Sequence, residues 1–143
     1  MLGGGSRCPA LFVEASILAT HWIEMFLLGD SRIFRLACLA AALFLIVGLF
    51  WIGAMPIAVG LFPGSLDKVA HFATFALIAA LLWLFLQRSH PLLVIAIVSA
   101  IGVADEFHQH FLPGRSASME DMATDVFAAV VVVSLLEYAR RRD

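Results

Sequence analysis

From Leu36 to Leu66 the chain contains no Asp, Glu, Lys or Arg. A helix needs about 20 apolar residues to cross a hydrocarbon core of about 30 Å, so this stretch holds one complete membrane span. The spacing predicts it over Leu36 to Ala58, with Pro56 near its end and the turn FPGS at Phe62 to Ser65 after it. Composition agrees: 62% of the residues are hydrophobic, 14% are charged, and the mean hydropathy is +0.98, outside the range of soluble domains. A net charge of -2 leaves no general basic surface, and no nucleic-acid partner is expected.

Three more spans follow. The second is predicted from Asp67 to Leu86 and stopped by QRSHP, whose proline, Pro91, opens the third as a first-turn residue. The apolar part of the third reaches only Ala104, too short to cross alone, so it must carry Asp105, Glu106 and Gln109 with it. After the loop LPGRSAS, Ser118 and Asp121 have capping-box spacing for a fourth helix, Met119 to Tyr138. The fold class expected is therefore all-α: an integral membrane four-helix transmembrane bundle over residues 36–139, followed by a basic tail at 140–143.

Residues 1–35 read as an N-terminal amphipathic, interfacial segment. Within it Leu11 to Leu28 is apolar, yet Glu14, His21 and Glu24 form a narrow polar strip at helical spacing, as in a helix lying on the membrane surface. A fifth span would have to absorb two glutamates and a histidine. A signal peptide is disfavoured by the missing basic n-region and cleavage site, and Met25 offers an alternative start. Cys8 and Cys38 stand in no disulfide or metal-ligand spacing and read as structural.

The positions of Lys and Arg orient the bundle. Arg32 and Arg35, then Arg88, then Arg140 to Arg142 all fall on one side, whereas only Lys68 and Arg115 fall on the other. Because positive loops stay inside, both termini are expected in the cytoplasm of a multi-pass protein of the cytoplasmic (inner) membrane. Trp22, Trp51 and Trp83 read as interfacial anchors. Phe72, Phe75, Phe107 and Phe111 read as packing of the outer half of the bundle, and Ala128 and Ala129 as small residues that let helices approach.

This topology gathers the ionisable residues at the outer end. Asp67, Lys68 and His71 begin the second helix; Asp105, Glu106, His108, Gln109 and His110 end the third; Asp121 and Asp125 begin the fourth. Asp67 and His71, Asp105 and Gln109, and Asp121 and Asp125 are each i,i+4 pairs and share a face. Asp125 precedes Arg140 by roughly 22 Å of helix, which puts it within the outer leaflet. A charge at the bilayer centre costs about 2.5–3.5 kcal/mol, so these groups are expected to face inwards and pair. Arg115, in the intervening loop, is the expected counter-ion of Glu106, Asp121 or Asp125.

DKVAHF at Asp67 to Phe72, DEFHQHFLPGR at Asp105 to Arg115 and SMEDMATD at Ser118 to Asp125 together resemble the VanZ-like family of small membrane proteins. Asp67, Lys68, His71, Glu106, Gln109, Arg115 and Asp121 match that family's pattern. Asp125 stands where Asn is usual and Ala128 where Gly is usual. The motifs cover about residues 36 to 139. The resemblance implies an accessory membrane protein of the cell envelope, associated with resistance to teicoplanin, a lipid-bearing glycopeptide antibiotic.

Four functional readings are open to these residues, the last a proton- or ion-conducting path, which the inner halves of the spans, bare apart from Thr74, Ser99 and Ser134, disfavour. In the first, the cluster only fastens helix ends. In the second, Asp67, Lys68, His71, Asp105, Glu106, Gln109, Arg115, Asp121 and Asp125 form a ligand site facing the outer leaflet, whose partner is a membrane lipid, a cell-wall precursor or a lipoglycopeptide. In the third, Glu106 or Asp121 acts as a general base with His71 as acid/base partner in a membrane-embedded hydrolase or transferase. No cofactor is expected. A metal would draw on His71, Glu106, Asp121 and either His108 or His110, but the last two diverge at i,i+2 and no H-E-x-x-H spacing exists, so no metal site is assigned. The sequence gives no oligomeric state.

Overall fold

The computed structural model describes residues 32–56, 65–115 and 117–142. They form four helices: α1 (Arg32–Gly53), α2 (Ser65–Phe85), α3 (Pro91–His110) and α4 (Met119–Arg140). All four are long and apolar enough to cross a membrane. The N-terminal amphipathic segment, Cys8, Trp22 and the alternative start at Met25 lie outside the described residues.

The first span begins and ends earlier than expected, at Arg32 and Gly53. Arg32 and Arg35 fit inside the helix because their long apolar stems run along it while the charged heads reach the interface. At the other end Pro56 sits just beyond the last turn, where a residue that cannot continue a helix is commonly found. The third and fourth helices start as expected, on Pro91 and after Ser118, whose Oγ accepts a hydrogen bond from the Asp121 N–H at 3.3 Å.

Between α2 and α3 the chain turns in a Schellman motif: the N–H groups of Gln87 and Arg88 donate to the carbonyls of Leu84 and Trp83 at 3.1 and 3.0 Å. Gln87 and Arg88 both have positive φ, 53° and 63°, where glycine is the usual occupant. The Arg88 guanidinium lies 5.3 Å from the centre of the Trp83 ring, a cation–π contact that holds this corner.

Apolar residues at i, i+3, i+4 and i+7 make the buried stripe of α2: Phe75, Ile78, Ala79 and Leu82. Val94 and Val98 of α3, Ala128, Ala129 and Val133 of α4 and Ala42 of α1 complete the core. The full burial of Ala128 and Ala129 meets the expectation of close approach, since without a hydrophobic drive between helices in lipid, small residues allow tight packing. Phe75 is fully buried and Phe72 packs against the core. Phe107 and Phe111 are 67% and 68% exposed and meet edge to face on the outer surface, with ring centres 5.0 Å apart.

Trp83 also departs from the interfacial expectation. It is buried near the basic end, where its indole N–H donates to Glu137 Oε1 at 2.8 Å, while Arg140 holds Glu137 Oε2 at 2.7 Å. Arg35 donates to the Phe85 carbonyl at 3.0 Å across the same end. This end is closed by paired groups.

Candidate functional site

The opposite end is arranged differently. The core stripes continue into it, but their last positions are polar: His71 lies one turn before Phe75 on α2, Asp105, Glu106 and Gln109 follow Val98 and Gly102 on α3, and Asp125 precedes Ala128 on α4. All five are buried, Asp105 at 1% and Asp125 at 0% exposure.

Each buried group is steered by one partner. His71 Nδ1 lies 3.2 Å from Asp125 Oδ1, joining α2 to α4. Gln109 Nε2 donates to Asp105 Oδ2 at 2.8 Å, one turn back on α3. The Ser118 backbone N–H donates to Glu106 Oε2 at 2.6 Å, tying α3 to the entrance of α4. Gly102 makes the α3–α4 contact close: a Cβ there would lie 3.1 Å from both Cβ and Oδ2 of Asp125.

The expected pairing of Arg115 does not form. It is Lys68 that reaches the first turn of α4, bonding Glu120 Oε2 at 2.5 Å and Asp121 Oδ1 at 3.5 Å. Lys68 is half exposed and close in space to that turn, whereas Arg115 leaves the loop just after Gly114, whose φ of 79° turns the chain in a direction open to glycine. Arg115 lines a cavity, and its Nε is buried without a hydrogen-bond partner among the described residues. Asp105 Oδ1, Glu106 Oε1, Asp125 Oδ2 and His108 Nδ1 share that condition.

The cavity has a volume of about 310 Å³. Asp67, His71, Thr74, Asp105, Gln109 and Arg115 form its polar wall; Phe44, Leu45, Gly48, Leu49 and Ile52 of α1 form the apolar one. A Cβ on Gly48 would meet nothing within 4 Å, so this glycine widens the space.

Of the nine residues expected in the site, seven meet around the cavity or directly behind it: Asp67, His71, Asp105, Glu106, Gln109, Arg115 and Asp125. Lys68 and Asp121 form a separate clamp. His108 lies against Phe50 and His110 against Phe111, so the two diverge as their spacing requires. Glu120, Gly102 and the α1 wall were missed by the sequence reading. A first-turn acid opposite Lys68 was a readable signal for Glu120; nothing in the spacing marked the other two.

The VanZ/LLP1 family model matches residues 12–140, starting well before the motifs that carried the resemblance. No curated protein and no solved structure matches the chain. With the match covering most of the chain, and the DKVAHF, DEFHQ and SMEDMATD residues brought to one end of a four-helix membrane bundle, the chain belongs to the VanZ/LLP1 family.

Proposed function

We propose that the cavity binds the polar head of an amphiphile from the outer leaflet: a membrane lipid, a cell-wall precursor or a lipoglycopeptide. The observation that carries this reading is the two-sided cavity, with its apolar wall on α1 facing a polar wall from α2, α3 and the Arg115 loop. An acyl chain suits the first and a hydrogen-bonding head the second. Resistance to a teicoplanin-type antibiotic would be one outward sign.

The fastening role accounts less well for these groups. A clasp satisfies its own atoms, as the Trp83–Glu137–Arg140 end does. Here, among the described residues, five buried polar atoms lack partners, and each such atom costs about 1–3 kcal/mol. Polar groups held at that cost are held for something else.

The side of the membrane follows from charge. Arg32, Arg35, Arg88 and Arg140 to Arg142 mark the cytoplasmic end, which turns the cavity outwards. Alkaline-phosphatase fused within residues 112–118 is expected to be active, and fused within 87–91 inactive; the reverse pattern would put the cavity in the cytoplasmic leaflet and end the proposal.

Occupancy is tested by native mass spectrometry of the protein released from membranes. Wild type is expected to retain an amphiphile adduct, and Gly48→Phe, which adds a ring at a cavity-lining position where a Cβ meets nothing within 4 Å, to lose it with an unchanged melting temperature. An adduct of equal abundance in Gly48→Phe would sink the reading.

A further inference from the structure

The buried polar cluster at and behind this wall has a second property. One ligand atom from each of His71, Asp105 and Glu106 lies within 4.8 Å of the other two, a spacing that allows all three to reach one ion. The three residues are 8%, 1% and 6% exposed. In each, one atom is engaged and another is left. His71 gives Nδ1 to Asp125, leaving Nε2; Asp105 gives Oδ2 to Gln109, leaving Oδ1; Glu106 gives Oε2 to the Ser118 N–H, leaving Oε1. Oδ1 and Oε1 are among the buried atoms without a hydrogen-bond partner.

We propose that His71, Asp105 and Glu106 hold a divalent transition-metal ion, of the Zn²⁺ or Mn²⁺ type, at the polar wall of the cavity. Metal-binding imidazoles are commonly oriented by a carboxylate on their other nitrogen, and ligating carboxylates by hydrogen bonds to their second oxygen. All three residues here have that support. The donor set, one imidazole nitrogen and two carboxylate oxygens, suits these ions, and three protein ligands leave a coordination position for something else.

Charge gives an independent reason. Asp105, Glu106 and Asp125 are three buried carboxylates, and buried charges persist only when paired or coordinated. Arg115 makes no ion pair with any of them, and His71 as a neutral ligand gives Asp125 a hydrogen bond from Nδ1 but no counter-charge. A divalent ion balances the two carboxylates it binds, Asp105 and Glu106, and draws charge from Asp125 through the His71 imidazole. It also changes what the cavity attracts: with Arg115 beside it, the wall becomes favourable to an anionic oxygen head such as a phosphate or carboxylate. That last step rests on the amphiphile reading; the ion site does not.

The test uses the full-length protein in detergent, stripped with chelator, reloaded with Zn²⁺ alone or Mn²⁺ alone and desalted. Metal content by mass spectrometry and titration calorimetry are expected to give one ion per chain. His110→Ala, which alters an exposed histidine outside the trio, is expected to keep it. His71→Ala, Asp105→Asn and Glu106→Gln are each expected to lose it. Asp125→Asn, with all three ligands present, is expected to weaken affinity by about 10- to 100-fold through loss of the charged partner of His71.

Wild type that retains no ion above the triple variant H71A/D105N/E106Q overturns the proposal. So does loss of the ion in His110→Ala with retention in Glu106→Gln. If a trio variant fails to fold, Asp125→Asn still decides: ion affinity equal to that of wild type overturns the proposal. An amphiphile adduct that persists in chelator-stripped, metal-free protein would leave the cavity reading standing while this one falls.

Discussion

Gly102→Leu is expected to lower the apparent melting temperature in detergent by about 3–15 °C, or to prevent the bundle from assembling. A Cβ alone would come 3.1 Å from Asp125 Cβ and Oδ2, tighter than ordinary packing, and the three further carbons of leucine have α4 in front of them. Overpacking a well-filled contact costs about 1–3 kcal/mol and sometimes more, which for a chain of this size corresponds to about 3–5 °C per kcal/mol. Gly102→Ala is the instructive comparison. Its helix-propensity gain of about 1 kcal/mol offsets a shift of a few tenths of an ångström at Asp125, so its melting temperature is expected close to wild type. If Gly102→Leu melted like Gly102→Ala in a fluorescence-monitored scan, the close α3–α4 approach would be wrong.

Asp125→Ala is expected to cost about 2 kcal/mol, or about 6–10 °C, by the same measurement. His71 Nδ1 loses the partner that joins α2 to α4, and an enclosed space opens beside Gly102. Deleting the unpartnered Oδ2 returns part of that cost, which is why the loss stays below that of a fully satisfied buried pair. Asp125→Asn keeps Oδ1 as an acceptor and is expected to recover most of the stability. Equal melting of the Ala variant and wild type would mean that the His71–Asp125 contact does not hold the helices.

Much of this architecture was legible because a bilayer imposes a simple rule: uncharged runs of span length become helices, and Pro91, Ser118 and the FPGS and LPGR turns punctuate them. The gathering of His71, Glu106, Gln109 and Asp125 was legible for the same reason, since topology alone brings those helix ends together. Pairing across helices was not. Spacing assigns residues to a face of their own helix, but helix rotation and tilt decide which faces meet. Spacing therefore gives Arg115 to the carboxylates, whereas in the packed bundle Lys68 takes Asp121 and Glu120. The α1 wall was invisible because an apolar helix gives no sign of which glycine fronts a cavity. Glu137 and Trp83 lie far apart in sequence, and only the packed bundle brings them within hydrogen-bond reach.

The rim of the cavity includes Phe44 and Ile52, which are 77% and 53% exposed on the side where acyl chains run. For the amphiphile proposed above, entry would then be sideways, from the membrane plane. A ligand of this kind dissolves in the bilayer before it binds, so occupancy follows its mole fraction among the lipids and not its concentration in water. Each methylene favours that transfer by about 0.8 kcal/mol, which lowers the aqueous concentration needed for half-occupancy by about fourfold. Two amphiphiles with identical heads and identical contacts would then differ widely in apparent potency through tail length alone, and an excess of ordinary lipid would dilute both equally.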